Sequence, residues 1–190
     1  MDLRDRVFKY SFEKHSELKD TLLEKIANAE SEHVDDSGEY DASTISSTDF
    51  FIGLKREHKA PYFWLFDDHL GGFYDHLKEK YFFKTFTVGH AWYQQYVNGD
   101  THGWHIHQSS NLSYVYYLEL TDPKYATQFF DAEKRELYQP EAQEGDIIVF
   151  DSYIPHRSPK IKSSTRKTII SCNMSFDFSL DVPRIKSYYE

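Results

Sequence analysis

Between Ser16 and Ala29 (SELKDTLLEKIANA) the apolar residues Leu18, Leu22 and Ile26 recur at every fourth position. That is the spacing of one face of an amphipathic helix. Ser16 stands where an N-cap would satisfy the first free backbone N–H groups. The pattern then fails. Glu30 to Thr48 (ESEHVDDSGEYDASTISST) is polar and rich in Ser and Asp, which predicts a long loop, either a solvated linker or a flap over a site. Pro61 is expected at or near a helix start, ahead of WLFDDHL. Gly71-Gly72 breaks or kinks that helix, and Phe73, Leu77 and Tyr81 resume the helical spacing.

From Thr85 onward the period changes. TFTVGHAWYQQYVNG reads as a strand ending in an Asn-Gly turn. WHIH, LSYVYYLEL, ATQFF, DIIVF and KTIISCNMSF follow as short strands, separated by DTHG, TDPK, QEGD, the Pro155 region and KSS. Helices followed by many short strands predict a mainly β fold, an antiparallel sandwich or small jelly roll with helices packed on one face. One domain is expected over 1–190: helical support to about 84, a core over about 85–178, and a tail over 179–190. No internal repeat is visible.

Composition narrows the function classes. Aromatic residues make up 17% of the 190-residue chain, with 15 Phe and 15 Tyr, which suits aromatic-lined cavities. Acidic residues outnumber basic ones by 31 to 22, so neither nucleic acid nor an anionic membrane is an expected partner. The single cysteine, Cys172, permits no internal disulfide and predicts a buried inert thiol in a reducing, intracellular (cytoplasmic) setting. The charged stretch MDLRDRVFKYSFEKH lacks the apolar region of a secretory signal, and no run of residues is long and apolar enough for a membrane span.

The chemistry concentrates in the second half. His105 and His107 are two positions apart, so a strand would put both on one face. They are either a metal-ligand pair or surface histidines on an edge strand. His156 follows an apolar strand and a Pro-containing turn in DIIVFDSYIPHRSP. A jelly roll can bring it beside the first pair, completing a three-ligand face with open positions, as in non-haem iron sites. Between Ser152 and Phe176 there is no acidic residue, while Arg157, Lys160, Lys162, Arg166 and Lys167 all fall there. Lys160 and Lys162 suit a solvated strand edge. Arg166 opens the strand pattern RKTIIS. Its guanidinium is expected to project into the barrel and grip a carboxylate, with the Thr168 hydroxyl pointing the same way.

WHIHQSSNLSYVYYL, then EGDIIVFDSYIPH, then RKTIISCN resembles the iron(II)/2-oxoglutarate-dependent oxygenases, most closely an H-x-H branch related to the prolyl 4-hydroxylases. The resemblance spans about residues 88–178. The small, acidic, tyrosine-rich make-up is similar to that of phage-encoded members. The family pattern is H-x-[DE], a distal His, and an Arg or Lys about ten residues later; His156 and Arg166 are ten apart. The resemblance implies a double-stranded β-helix (jelly-roll, cupin-like) core and a dioxygenase using Fe(II), 2-oxoglutarate and O2 to hydroxylate a C–H bond of a small-molecule or peptidyl substrate, a peptidyl or free amino acid. It further implies that His105, His107 and His156 hold the metal and that Arg166 and Thr168 clamp the far carboxylate of 2-oxoglutarate. Tyr96, Tyr117 and Asn173 are candidates to bind the cosubstrate or orient a ligand, with structural roles as the alternative.

One departure stands out. Most of the superfamily has a carboxylate where His107 stands. Three neutral imidazoles would leave iron its full 2+ charge. Water in the third place, a shifted His107–Ser109 pair, and Asp100 or Asp151 as substitute carboxylates are ranked lower. His102 lies close enough to the site to be watched, and the other histidines, His90 among them, are expected on the surface or in helices. Two rival functions remain open: a three-histidine cupin-type dioxygenase without 2-oxoglutarate, and a non-catalytic jelly-roll binding protein. The 30–48 segment and the aromatic strand over 85–98 are expected to wall the substrate.

Overall fold

The computed structural model describes residues 2–36, 42–162 and 164–177. The first amphipathic pattern forms α1 (His15–Ala27), with Leu18, Leu22 and Ile26 buried. The helix starts one residue earlier than Ser16, which therefore caps nothing. Lys14 holds the cap position without a side-chain capping bond, and His15 Nδ1 lies 2.7 Å from the Tyr116 hydroxyl. A short α2 (Phe50–Gly53) precedes α3 (Pro61–Asp67), which has Pro61 in its first turn, where a missing N–H costs nothing. The Gly pair divides α3 from α4 (Gly71–Tyr81), whose Phe73 and Leu77 are buried.

The strands are β1 (Val7–Ser11), β2 (Glu32–Asp36), β3 (Ser43–Thr48), β4 (Thr85–Tyr96), β5 (His102–His105), β6 (Leu112–Glu119), β7 (Gln128–Asp131), β8 (Glu136–Tyr138), β9 (Asp146–Asp151), β10 (His156–Ser158) and β11 (Lys167–Asp177). The major sheet runs β1-β9-β6-β11-β4-β3-β2 and the minor sheet β5-β10-β7-β8. Neighbouring strands are antiparallel throughout. This is the expected mainly β jelly roll with helices outside.

The N-terminal third is less purely helical than its sequence suggests. β1 pairs with β9 at one edge of the major sheet. The polar 30–48 stretch is not a plain loop: its described parts are β2 and β3, paired with each other and joined to β4 through Ser47–Gln95 and Thr48–Gln94. Residues 37–41 of the expected flap lie outside the described residues. The Ser and Thr side chains bond into the sheet instead of into water. Thr48 Oγ1 donates to the Tyr93 carbonyl at 2.7 Å, and Ser46 offers its N–H and hydroxyl to Asp100 Oδ2 at 3.1 and 2.6 Å.

Two cores explain why the central strands read as unbroken apolar runs. Ile147 and Val149 of β9, Tyr114 and Tyr116 of β6, and Ile170 and Cys172 of β11 pack against the helices with Leu22, Phe66 and Phe73. Their neighbours Ile148, Phe150, Val115, Tyr117 and Ile169 face the other way, into the space between the sheets. With both faces covered, polar alternation disappears. Cys172 is fully buried, and burial pushes its thiol up to about 12, so it is unreactive at neutral pH.

Candidate metal centre

His105 ends β5 and His156 begins β10, and the two are direct partners across the antiparallel ladder. His107 lies beyond the end of β5. Its backbone N–H donates to the Ser152 carbonyl at 2.8 Å, which ties the segment to the end of β9. The expected same-strand pair is thus a strand residue and a loop residue, yet the rings converge. One ligand nitrogen from each of His105, His107 and His156 falls within 4.8 Å of the others.

The hydrogen bonds fix which nitrogen faces inward. His105 Nδ1 donates to the Gly103 carbonyl at 2.8 Å, His156 Nδ1 to the Ile154 carbonyl at 2.9 Å, and His107 Nδ1 to Asn173 Oδ1 at 2.5 Å. The Ser113 hydroxyl also donates to Asn173 Oδ1, at 2.9 Å, which confirms that atom as an acceptor. Each ring therefore carries its proton on Nδ1, which assigns Nε2 as the ligand atom. His107 Nε2 and His156 Nε2 lie 3.1 Å apart. The lone pairs of two such atoms repel unless a cation joins them, and nitrogens about 2.1 Å from one ion at right angles sit about 3 Å apart. Burial holds the His107 imidazole down at about 4 and that of His156 well below its usual range. Neutral rings are what metal ligation requires. The residues fit an iron-type cation in a three-histidine face.

No carboxylate joins this cluster among the described residues. The substitute candidates are engaged elsewhere. Asp100 fastens β3 to the turn after β4, and Asp151 pairs with Arg6 at 2.9 Å.

Arg166, expected to project into the barrel and grip a carboxylate, does not project there. The Arg166 side chain is 45% exposed and forms a two-pronged pair with Glu119, at 2.8 and 3.0 Å. The Thr168 hydroxyl donates to the same Glu119 and receives a bond from Gln95. Both point away from the space between the sheets. Strand side chains alternate, so a one-residue change of parity moves every side chain to the opposite face. The intervening residue, Lys167, points inward instead. It is 3% exposed, its Nζ donates to the Tyr125 carbonyl at 3.0 Å and Ser158 Oγ at 2.5 Å, and it lies 4.4 Å from the centre of the Tyr96 ring. Burial alone lowers its ammonium to about 7, with no carboxylate offsetting it. A buried amine without an anion carries an uncompensated desolvation cost.

The three histidines, Tyr96, Ser158 and Ile169 line one small inner chamber. The Tyr96 hydroxyl donates to Gln94 Oε1 at 2.8 Å, and Gln94 Nε2 lies 3.5 Å from His102 Nδ1. His102 stacks on His105 with ring centres 3.9 Å apart. Tyr117 is spent within the protein, since its hydroxyl donates to Thr127 Oγ1 and accepts from the Thr127 N–H. Asn173 touches His107 and orients it, at the irregularity in β11 between Cys172 and Met174. His90 is neither helical nor simply superficial. It sits on β4, stacked on Trp92, in the wall of an outer cleft of about 580 Å3 that reaches His105 and His107. The expected walls also fall there, with Val34, Ile45 and Thr48 from β2 and β3. Sequence reasoning missed Lys167, Gln94, His90 and Trp92. The only available signal was Lys167 within the basic island.

No protein-family model matches the chain, and no curated protein matches it. Solved structures do match. A prolyl-4-hydroxylase from Pseudomonas putida is 14% identical with a TM-score of 0.58, over 92% of this chain and 94% of that one. An oxidoreductase of the 2OG-Fe(II) oxygenase family from Burkholderia pseudomallei is 11% identical with a TM-score of 0.70, over 89% of this chain and 84% of that one. The viral collagen prolyl hydroxylase of Paramecium bursaria Chlorella virus-1, in its 2OG complex, is 13% identical with a TM-score of 0.54, over 89% and 95%. The chain shares its jelly-roll fold with 2OG-Fe(II) oxygenases and prolyl-4-hydroxylases, the group its motifs resemble.

Proposed function

We propose that the protein is a non-haem iron(II)- and 2-oxoglutarate-dependent oxygenase that hydroxylates a C–H bond of an organic substrate. The observation that carries this reading is the convergence of three histidine ring nitrogens at one chamber, with the buried Lys167 ammonium packed behind two of its lining residues, Tyr96 and Ser158. When bound, iron(II), 2-oxoglutarate and O2 together supply the oxidation. His105, His107 and His156 hold the cation, and Asn173 and two backbone carbonyls lock the ring orientations. Lys167, in place of Arg166, binds the far carboxylate of the cosubstrate, with the Tyr96 ring fixing the ammonium from one side. Val115 and Ile169 keep the chamber apolar, which strengthens that charge pairing and excludes water. Substrate reaches His105 and His107 through the outer cleft. The prolyl hydroxylases among the structural neighbours support hydroxylation as the outcome.

The test is an anaerobic Fe(II) titration of the purified protein, followed by 2-oxoglutarate, with the visible charge-transfer absorption as the readout. The band is expected in the wild type and in Arg166→Ala, and absent in Lys167→Met and His107→Ala. Iron binding without a band, unaffected by Lys167→Met, would replace the proposal with a three-histidine dioxygenase that needs no 2-oxoacid. No iron binding would leave a binding protein.

A further inference from the structure

The outer cleft has its own chemistry, distinct from that of the chamber beneath it. One part of its wall is a run of rings. Phe50 meets His90 edge-on at 4.8 Å and Trp92 at 5.1 Å, His90 stacks on Trp92 at 4.9 Å, and Trp92 approaches His107 at 5.4 Å. The run thus ends at a metal-ligand candidate. Gly53 makes it possible for α2 to approach, because a Cβ there would come within 2.8 Å of His90 Nε2. Around the same cleft Phe51, Leu54 and Ile106 are large apolar side chains left 46–59% exposed. Clustered exposure of this kind marks a binding surface more often than chance scatter does.

Beyond the histidines and Asp36, the polar part of the lining is hydroxyl and amide, with Gln108, Ser109, Ser110, Asn173 and Ser175 at one end. Ser109 is held in the left-handed region at φ 61°, a conformation that costs a non-glycine residue energy and that recurs at functional sites. Among the described lining residues there is no lysine or arginine, and the one carboxylate is Asp36. Burial keeps the His90 imidazole below its usual range, so the ring wall is uncharged at neutral pH. Away from the metal candidates at its floor, a carboxylate or phosphate entering this cleft would lose its water and find no lysine or arginine among the described lining residues. The volume of about 580 Å3 is that of a small-molecule pocket.

We infer that the cleft takes a neutral, ring-bearing small molecule, its apolar face against the Phe50–Trp92 wall and its hydroxyl or carbonyl edge toward the serine and amide groups. It rejects carboxylated and phosphorylated molecules, free α-amino acids included. This names the substrate class of the proposed oxygenase and rests on that reading for its catalytic meaning.

The test uses the full chain loaded with Zn(II) and 2-oxoglutarate, and one ring in two charge states: trans-4-hydroxycyclohexanecarboxamide and trans-4-hydroxycyclohexanecarboxylate. Dissociation constants come from the NMR shift of the Trp92 indole N–H, assigned with Trp92→Phe. The carboxamide is expected to bind about tenfold or more tighter than the carboxylate. Phe50→Ala should weaken the carboxamide roughly three- to tenfold while 2-oxoglutarate still binds. Equal or tighter binding of the carboxylate, no binding of either form, or indifference to Phe50→Ala overturns the inference. So does a blocked peptide, N-acetyl-Gly-Pro-Gly-amide, binding more tightly than the ring, which would make the cleft a peptide site. If 2-oxoglutarate fails to bind while the charge discrimination holds, the cleft chemistry stands and the oxygenase proposal falls.

Discussion

Lys167 is an amine sealed between two sheets with hydroxyl and carbonyl oxygens for company and no anion. In the unfolded chain it titrates near 10.4, in the fold at about 7. Between those values the unfolded chain holds a proton that the folded chain lacks, so stability rises as pH is raised from about 7 to about 10. Below about 7 both forms are charged and the penalty is constant. Each pKa unit corresponds to about 1.4 kcal/mol, so the gain is expected to reach a few kcal/mol. Urea unfolding of the metal-free protein across that range should show it, and Lys167→Met should flatten the curve. The same amine must be charged to hold a carboxylate, so 2-oxoglutarate affinity should fall as pH rises above about 7; a flat profile to pH 9 would place the cosubstrate elsewhere. The Arg166–Glu119 pair, by contrast, is half exposed, and Arg166→Ala should cost under about 1 kcal/mol. Asn173→Ala removes the group that orients His107. Metal affinity should drop about 10–100-fold, the usual effect of losing such a partner, as measured by competition with a chromophoric chelator.

At the scale of elements, one carboxylate fastens β3 to the turn between β4 and β5. Asp100 accepts from Ser46 of β3 and from Val97 in the turn after β4, while Thr44 and Thr101 exchange backbone bonds nearby. The wall of the outer cleft is therefore tied to the segment that leads into β5 and His105. Asp100→Ala strands three donors, and a loss of about 1–3 kcal/mol is expected in thermal or urea unfolding. Because Asp100 does not touch the metal cluster, iron stoichiometry should survive the change. If iron binding vanished with the fold intact, a ligand role for Asp100 would have to be reconsidered. The order of elements was largely legible beforehand: α1, the start of α3 at Pro61, the break at Gly71 and most of the strands from β4 to β11 follow their periodicities. β2 and β3 were not, because their polar side chains are satisfied by partners far away in sequence, Tyr93 and Asp100, which local patterning does not register.

For the molecule as a whole, the metal candidates lie on β5, on the segment after it and on β10, and Asn173 adds β11. A cation there would join two strands of the minor sheet to His107, which Asn173 in turn ties to the major sheet. At a free concentration of about 100 times its dissociation constant, a bound metal stabilises the folded state by about 2.7 kcal/mol. Zn(II), which is redox-inert, should raise the melting temperature accordingly, chelator should reverse the rise, and His156→Ala should abolish it. No helix among the described residues is long and apolar enough to cross a membrane.

Residue types and their order were set by the sequence alone: the histidine spacing at 105 and 107, the distal His156 after an apolar strand, and a basic stretch without acidic residues. These sufficed for the jelly-roll expectation and the metal-ligand candidates. Only the tertiary structure decided which face of β11 looks inward. Ile169 and Ile170 are both buried, one between the sheets and one under the helices, so hydrophobicity carries no parity signal along that strand. That is why Arg166 and Thr168 are the residues the sequence points inward, whereas the structure buries Lys167 between the sheets, against Tyr96 and Ser158. The outer cleft was equally beyond the sequence. Its wall joins Phe50 and Gly53 of α2 to His90 and Trp92 of β4, residues that meet only when the chain has folded.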